Sequence, residues 1–401
     1  MNLLHAVELK FTQKYGERPF LLRSPGRVNL IGEHTDYNLG FVLPAAIDKA
    51  IYFAIKPRAD KRCRVFALDV NEEHTFEIDN FQRTRASWPN YLLGVVDQLN
   101  KSHYSLRGFD CVFGGDIPIG AGLSSSAALE AGLAFALNAM FELKLDRLTL
   151  AKIARKAENE FVGVQCGIMD QYINLFGEQG KVLRLDCRSY ESTSFPFDDD
   201  SISIVLFDSC VSHALASSEY NQRRNECSAG VDEIKEIYPQ VRSLRDVSRE
   251  MLSDVKLNLE PTIYRRCRYV VEENQRLLDA CDMLTSNDLK GFGALMYRTH
   301  DGLRNDYDVS CPELDYLVDL TRNEPSVYGA RMMGGGFGGC TINLVENGSI
   351  ERITRKVAEG YLRKFGKSLK PYVTTIGAGT GFVSAGEGIR TEVLDEPPVL
   401  H

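Results

Sequence analysis

Pro118-Ile-Gly-Ala-Gly-Leu-Ser-Ser-Ser-Ala-Ala-Leu-Glu130 is the stretch on which the fold assignment rests. A strand-like run ends before it near Phe113, and an apolar helical run begins after it near Ala127. Glycines let backbone N–H groups approach an anion closely, and a helix N-terminus offers unpaired N–H groups with a favourable dipole. Gly120, Ala121, Gly122, Leu123, Ser124, Ser125 and Ser126 therefore form a candidate phosphate loop, and a serine hydroxyl there can also ligate Mg²⁺. A cluster of N-capping serines ahead of a core helix is the plainer alternative.

Two other nucleotide motifs fail. The only Gly-Lys-Ser, at 366–368, has Tyr361 where a Walker A loop needs glycine. Read as a Rossmann fingerprint, the loop has Ser125 in the third glycine position, and Glu142 ends a helical run instead of a strand. Gly334-x-Gly336-x-x-Gly339 matches that fingerprint outright, but Cys340 to Val345 after it reads as a strand.

Around these motifs the chain of 401 residues is long enough for two domains, which we set at 1–180 and 181–401. Apolar residues make up 44% and charged residues 25%, as in ordinary globular proteins with a packed core. The net charge of -8 comes without a basic face, which argues against nucleic acid as a partner. Ten scattered cysteines with no C-x-x-C pair signal neither zinc nor a redox dithiol, and reduced thiols in the cytosol are the simplest account. The N-terminus lacks a signal-peptide pattern. Glu130, Asn138 and Glu142 interrupt the most apolar stretch, Ala127 to Leu143, so a buried helix is expected there and no membrane span.

Along the chain, residues 2–15 read as a helix, followed by strands over Ala50 to Ile55, Arg64 to Leu68 and Phe109 to Phe113. Leu148 to Val162 has amphipathic spacing, with Asp146 or Thr149 as cap and Arg155, Lys156 and Glu158 on its polar side. Lys181 to Leu185 and Ile202 to Asp208 read as strands, and Glu219 to Tyr297 as a long charged helical region. Strand, glycine-rich turn and strand follow over Tyr328 to Val345, then a helix over Ile350 to Phe365 and a solvated tail after Gly381. The expected fold is α+β, two domains meeting at a cleft that holds the site.

Pro118 to Ala128 resembles the phosphate loop of the GHMP small-molecule kinases, and Gly334 to Cys340 resembles their third, glycine-rich motif. Ser24-Pro-Gly-Arg-Val-Asn-Leu-Ile-Gly-Glu-His-Thr-Asp-Tyr-Asn38 is similar to the galactokinase signature nearly residue for residue. Cys166 to Gln171 and Ser218 to Arg224 also resemble galactokinase segments, so the likeness runs from about Phe20 to about Gly381. Departures are Leu39, where a small or acidic residue is usual, and the chain beyond Gly381.

The resemblance implies a two-domain GHMP kinase fold and ATP-dependent phosphorylation of a sugar's anomeric hydroxyl, with galactose the foremost substrate. It implies Asp170 as the base and Arg27 as its partner, which would also stabilise charge on the transferred phosphoryl group. Glu33, His34, Thr35, Asp36, Gly167 and Tyr220 would hold the sugar, whose hydroxyls are both donors and acceptors. Ser126 and Glu158 would ligate Mg²⁺. A metal site built from Glu33 to Asp36 is the weaker reading, because it lacks H-E-x-x-H spacing. Trp88 and Tyr91 resemble a segment near the adenine but read equally well as core. The resemblance also leaves open a kinase for N-acetylgalactosamine, arabinose or galacturonate, and a non-catalytic sensor, against which Ala127 and Ala128 stand. The partners expected are ATP and a small sugar, with a monomer favoured and a cytoplasmic location.

Overall fold

The computed structural model describes residues 2–118, 120–197, 201–211 and 216–383. Among these, one sheet has six strands in the order Gly381–Phe382, Phe20–Asn29, Pro44–Pro57, Phe109–Gly115, Arg62–Ala67 and Glu72–Glu77. Its pairings are antiparallel except between Arg62–Ala67 and Phe109–Gly115. A second, antiparallel sheet runs Val327–Met332, Cys340–Glu346, Ile202–Asp208, Lys370–Thr374. A small third sheet joins Phe41–Val42, Lys181–Asp186 and Ser192–Pro196.

The helix Ser125–Met140 lies at the centre of the first sheet's cover and is buried continuously from Ala127 to Leu137. A helix apolar on all sides must be enclosed, and here the enclosure is close. A Cβ added to Gly132 would stand 2.7 Å from the Phe53 ring and 2.8 Å from Ser24 Cβ. Ser24 Oγ donates to the Ala128 carbonyl at 2.7 Å, tying the strand Phe20–Asn29 to this helix. Asn174, on the helix Met169–Phe176, donates to the Pro25 carbonyl at 2.6 Å. Three elements that carry site residues are thus locked together beneath the site.

The expected elements appear with instructive differences. The N-terminal helix is Leu3–Tyr15, the strand Ile202–Asp208 and the helix Ile350–Phe365 match the expected ranges, and the glycine-rich turn sits between Val327–Met332 and Cys340–Glu346. The central helix starts at Ser125, so Ser125 and Ser126 occupy its first turn. The charged region after Glu219 divides into Ala216–Ile237, Arg249–Asp254, Pro261–Thr285 and Leu289–Gly302. The helix expected over Leu148 to Val162 is α-helical only over Arg147–Lys156, capped by Asp146, and continues as a π-helical turn over Ala157–Val162. That wider turn carries Glu158 off the polar side, where Lys156 stays exposed, into a buried position. The tail is not solvated where it begins, since Phe382 pairs with Leu22 and Val383 is buried. Residues 384–401 lie outside the described residues. Trp88 packs on Phe113 and donates to Glu72, and with Tyr91 it borders the main core. No helix among the described residues is long and apolar enough to cross a membrane.

Candidate active site

The candidate phosphate loop takes the backbone conformation that its glycines permit. Gly120 and Gly122 have φ of +78° and +74°, and Ser124 has φ of +57°, which a side chain rarely adopts. Ser124 is the N-cap residue by position, yet its side chain makes no capping hydrogen bond. Its hydroxyl donates instead to Asp170 Oδ2. The capping-cluster alternative therefore fails for Ser124, and the helix N-terminus keeps its unpaired N–H groups facing the loop.

Asp170 sits in the first turn of Met169–Phe176. Arg27 Nε donates to Oδ1 at 2.8 Å and Arg27 Nη2 to Oδ2 at 2.9 Å, a two-point grip that fixes the carboxylate plane. Arg27 also donates to the Gly122 carbonyl, and its own N–H to the Leu123 carbonyl at 3.2 Å. One guanidinium thus couples the phosphate loop to Asp170. Burial would lower the pKa of Arg27, but Asp170, then Glu33 and Asp36, more than reverse that and raise it.

A cavity of about 140 Å³ opens beside this pair, lined by Arg27, Glu33, His34, Asp36, Glu158, Val164, Cys166, Gly167, Met169, Asp170, Tyr220, Gly334 and Gly335. Glu33 Oε1 accepts from Arg331 Nη1 at 3.0 Å and from the Gly334 N–H at 2.8 Å. Arg331 is fully buried and also donates to the Leu30 carbonyl at 2.8 Å. Asp36 is pushed up to about 7, by burial first and then by the Asp170 charge. Gly167 leaves room for it, since a Cβ there would stand 2.0 Å from Asp36 Oδ2. His34 is pushed down to about 4 by burial, so its ring is neutral near pH 7. The ring of Tyr220 lies 5.3 Å from that of His34.

Of the residues expected at the sugar, Thr35 does not line the cavity. It is fully buried, and its hydroxyl donates to the Gly32 and Phe41 carbonyls, so it shapes the loop from behind. Gly334 and Gly339 come instead against the phosphate loop, where a Cβ on either would meet Gly122 or Gly120 carbonyl oxygens at 3.4 and 3.5 Å. Close backbone approach explains small residues here.

Ser126 hydrogen-bonds to Glu158. Gln171 Nε2 donates to Glu158 Oε2 at 2.7 Å and lies 3.4 Å from Glu130 Oε2. Burial first, then the Asp170 charge, raises Glu158; burial first, then Glu158, raises Glu130 well above the usual carboxylate range. A hydroxyl beside crowded, buried carboxyl groups fits a divalent cation with oxygen ligands, whose charge would relieve that crowding. Among the described residues no group of three or more His, Cys, Asp or Glu could hold a metal ion by itself. A cation at Ser126 and Glu158 would complete its shell from phosphate and water oxygens.

Sequence reasoning did not assign Glu130, Gln171 or Arg331 to this region. Glu130 carried a usable signal, a charge in the middle of an otherwise apolar helix. Arg331 had none, because only the tertiary structure brings it to Glu33.

Comparisons with known proteins bear on this geometry. Residues 9–57 match the galactokinase galactose-binding signature, 90–178 the GHMP kinases N-terminal domain and 275–362 the GHMP kinases C-terminal domain. A galactokinase of Roseiflexus sp. (strain RS-1) is 44% identical over 375 residues, covering 93% of this chain and 96% of the relative. The chain belongs to the galactokinase family. A galactokinase of Thermotoga maritima is 39% identical over 348 residues, covering 87% of this chain and 95% of the relative. The crystal structure of Lactococcus lactis galactokinase complexed with galactose superposes with a TM-score of 0.90 at 33% identity, covering 94% of this chain and 99% of that one. Mevalonate kinase of Methanococcus jannaschii, at 17% identity and a TM-score of 0.63 over 90% of this chain and 99% of that one, shares the fold alone. The fold is the α+β, two-domain GHMP kinase fold, and the chain is an ATP-dependent kinase of the galactokinase family.

Proposed function

We propose that this protein transfers the γ-phosphoryl group of ATP to the anomeric hydroxyl of D-galactose, giving galactose 1-phosphate and ADP, the first committed step of galactose catabolism by the Leloir pathway. The observation that carries the reading is the Arg27–Asp170 pair, held at 2.8 and 2.9 Å on the wall of a polar cavity. Asp170 takes the proton of the anomeric hydroxyl as that oxygen attacks the γ-phosphorus. Arg27 keeps the carboxylate oriented and offsets charge on the transferred group. Glu33, His34, Asp36, Gly167 and Tyr220 orient the sugar, and Thr35 supports them through the loop backbone. The backbone from Gly120 to Leu123 and the hydroxyls of Ser124, Ser125 and Ser126 receive the nucleotide phosphates. Mg²⁺, held by Ser126 and Glu158, would supply positive charge at the β- and γ-phosphate oxygens. Most of the rate then comes from positioning and electrostatics.

We place the division between the two domains near residue 180, the first carrying the sugar signature and phosphate loop and the second the glycine-rich third motif. The cytosol suits a protein whose ten cysteines are all free. Its net charge of -8 favours a soluble monomer.

Asp170→Asn tests the base role while preserving shape. Turnover is expected to fall by about 10²–10⁴-fold with little change in galactose affinity. Turnover within a few-fold of the parent would make Asp170 structural. A protein that binds galactose and ATP tightly and releases no ADP would be a sensor.

A further inference from the structure

His34 lines the cavity, but its Nδ1 faces away into a buried row of polar groups contributed by distant parts of the chain. Tyr37 Oη lies 2.8 Å from His34 Nδ1, Tyr307 Oη 2.7 Å from Tyr37 Oη, and Cys227 Sγ 3.2 Å from Tyr307 Oη. Tyr37 belongs to the short turn Asp36–Asn38, Cys227 to the helix Ala216–Ile237 and Tyr307 to the π-helical turn Leu303–Tyr307. Tyr307 and Cys227 are almost fully enclosed.

We infer that the row Cys227–Tyr307–Tyr37 fixes His34 as the tautomer protonated on Nε2, and that His34 thereby donates a hydrogen bond to the sugar. This rests on the sugar site proposed above. Tyr37, Tyr307 and Cys227 are then positioning residues, acting on the substrate only through His34.

The inferred direction of the row starts at its far end. Asn38 Nδ2 donates to the His34 carbonyl at 2.9 Å, which settles the orientation of the amide, and the same nitrogen lies 3.7 Å from Cys227 Sγ. The inferred direction has the sulfur accepting from Asn38 and the thiol donating to Tyr307. Each hydroxyl has one hydrogen. Tyr307 passes its own to Tyr37, and Tyr37 passes its own to His34 Nδ1. Burial first raises both tyrosines well above their ordinary value, so neither hydroxyl loses its hydrogen at working pH. A neutral imidazole that accepts at Nδ1 carries its proton on Nε2.

The near end agrees. Nε2 is buried and meets no hydrogen-bond partner of normal geometry. A buried donor left unmatched in a cavity wall is a demand that a sugar hydroxyl oxygen can meet.

The test is long-range ¹H–¹⁵N correlation of the histidine rings in the full-length, sugar-free protein, with His34→Gln assigning the resonances of His34. The expected result is a pyrrole-type Nε2 and a pyridine-type Nδ1. Tyr307→Phe should mix the two tautomers and weaken galactose binding by roughly three- to tenfold in calorimetry, the size of one lost hydrogen bond. Cys227→Ala should move the signals the same way, and Cys227→Ser, which keeps a donor, should restore the parent pattern. These two variants carry the test if Tyr307→Phe does not fold. A parent His34 protonated on Nδ1 overturns the inference, as does a tautomer unmoved by both Tyr307→Phe and Cys227→Ala. Galactose that binds parent and Tyr307→Phe equally counts against the row. Galactose that binds neither, with the Nε2–H tautomer present in the parent, counts against the assigned substrate.

Discussion

Asp36 shares one cavity wall with Glu33 and stands close enough to Asp170 for their charges to interact. In the unfolded chain its carboxyl titrates near the ordinary 3.8, and in the folded one it keeps its proton up to about 7. Between those values the folded state binds more protons, so stability falls as pH rises through the window and levels off above it. Asp36→Asn, uncharged throughout, escapes that loss. Without ligands, its melting temperature relative to the parent should rise from about pH 4 to about pH 8, most of the change falling below about pH 7.5. A difference that is constant over that range would mean that Asp36 is not held protonated by burial. His34 contributes with the opposite sign, since burial lowers its pKa from 6.5 to about 4 and stability is lost as pH falls between those values. Both variants share that contribution, so it cancels in the comparison.

At the scale of elements, the helix Ser125–Met140 transmits the geometry. Its first turn forms one side of the candidate phosphate loop, its N-cap residue Ser124 makes no side-chain capping hydrogen bond, and its buried face is stitched to the signature strand through Ser24 and Ala128. A Cβ at Gly132 would already crowd Phe53 and Ser24, so Gly132→Val would overpack that contact. We expect a loss of about 1–3 kcal/mol in denaturant unfolding, with weaker turnover because Arg27 lies on the same strand. A variant as stable as the parent would show that the helix and strand separate freely.

This element was legible in the sequence because an apolar run after a glycine and serine cluster has few other structural uses. The strand Ile202–Asp208 and the helix Ile350–Phe365 were legible for a similar reason, as each has a hydrophobic period that one element satisfies. Glu158 was legible only through family resemblance. Its local pattern places it on a solvated face, and the π-helical turn with Gln171 against it makes it buried. The orientation of Thr35 was not legible, since nothing in a Glu-His-Thr-Asp run tells which side chain turns to the backbone.

At the scale of the whole molecule, the site depends on chain segments that return from far away. Gly381–Phe382 completes the sheet begun by Phe20–Asn29, and Arg331 reaches Glu33 across 298 positions. Gly334 and Gly339 meet the phosphate loop from the second sheet's turn. Such pairings leave no periodicity to read, which is why the sequence exposed the loops themselves but not how they close on one another. The same architecture recurs in mevalonate kinase at 17% identity, so the fold alone does not choose the substrate. In the function proposed above, the choice rests with Glu33, His34, Asp36, Gly167 and Tyr220 on the cavity wall. The most direct test is coupled ADP release from the purified full chain with ATP and Mg²⁺, offering D-galactose beside N-acetylgalactosamine, arabinose and galacturonate. The account expects galactose to lead every other sugar by at least about tenfold in kcat/KM. A lead of that size for another sugar, or ADP release from none of them, would contradict it.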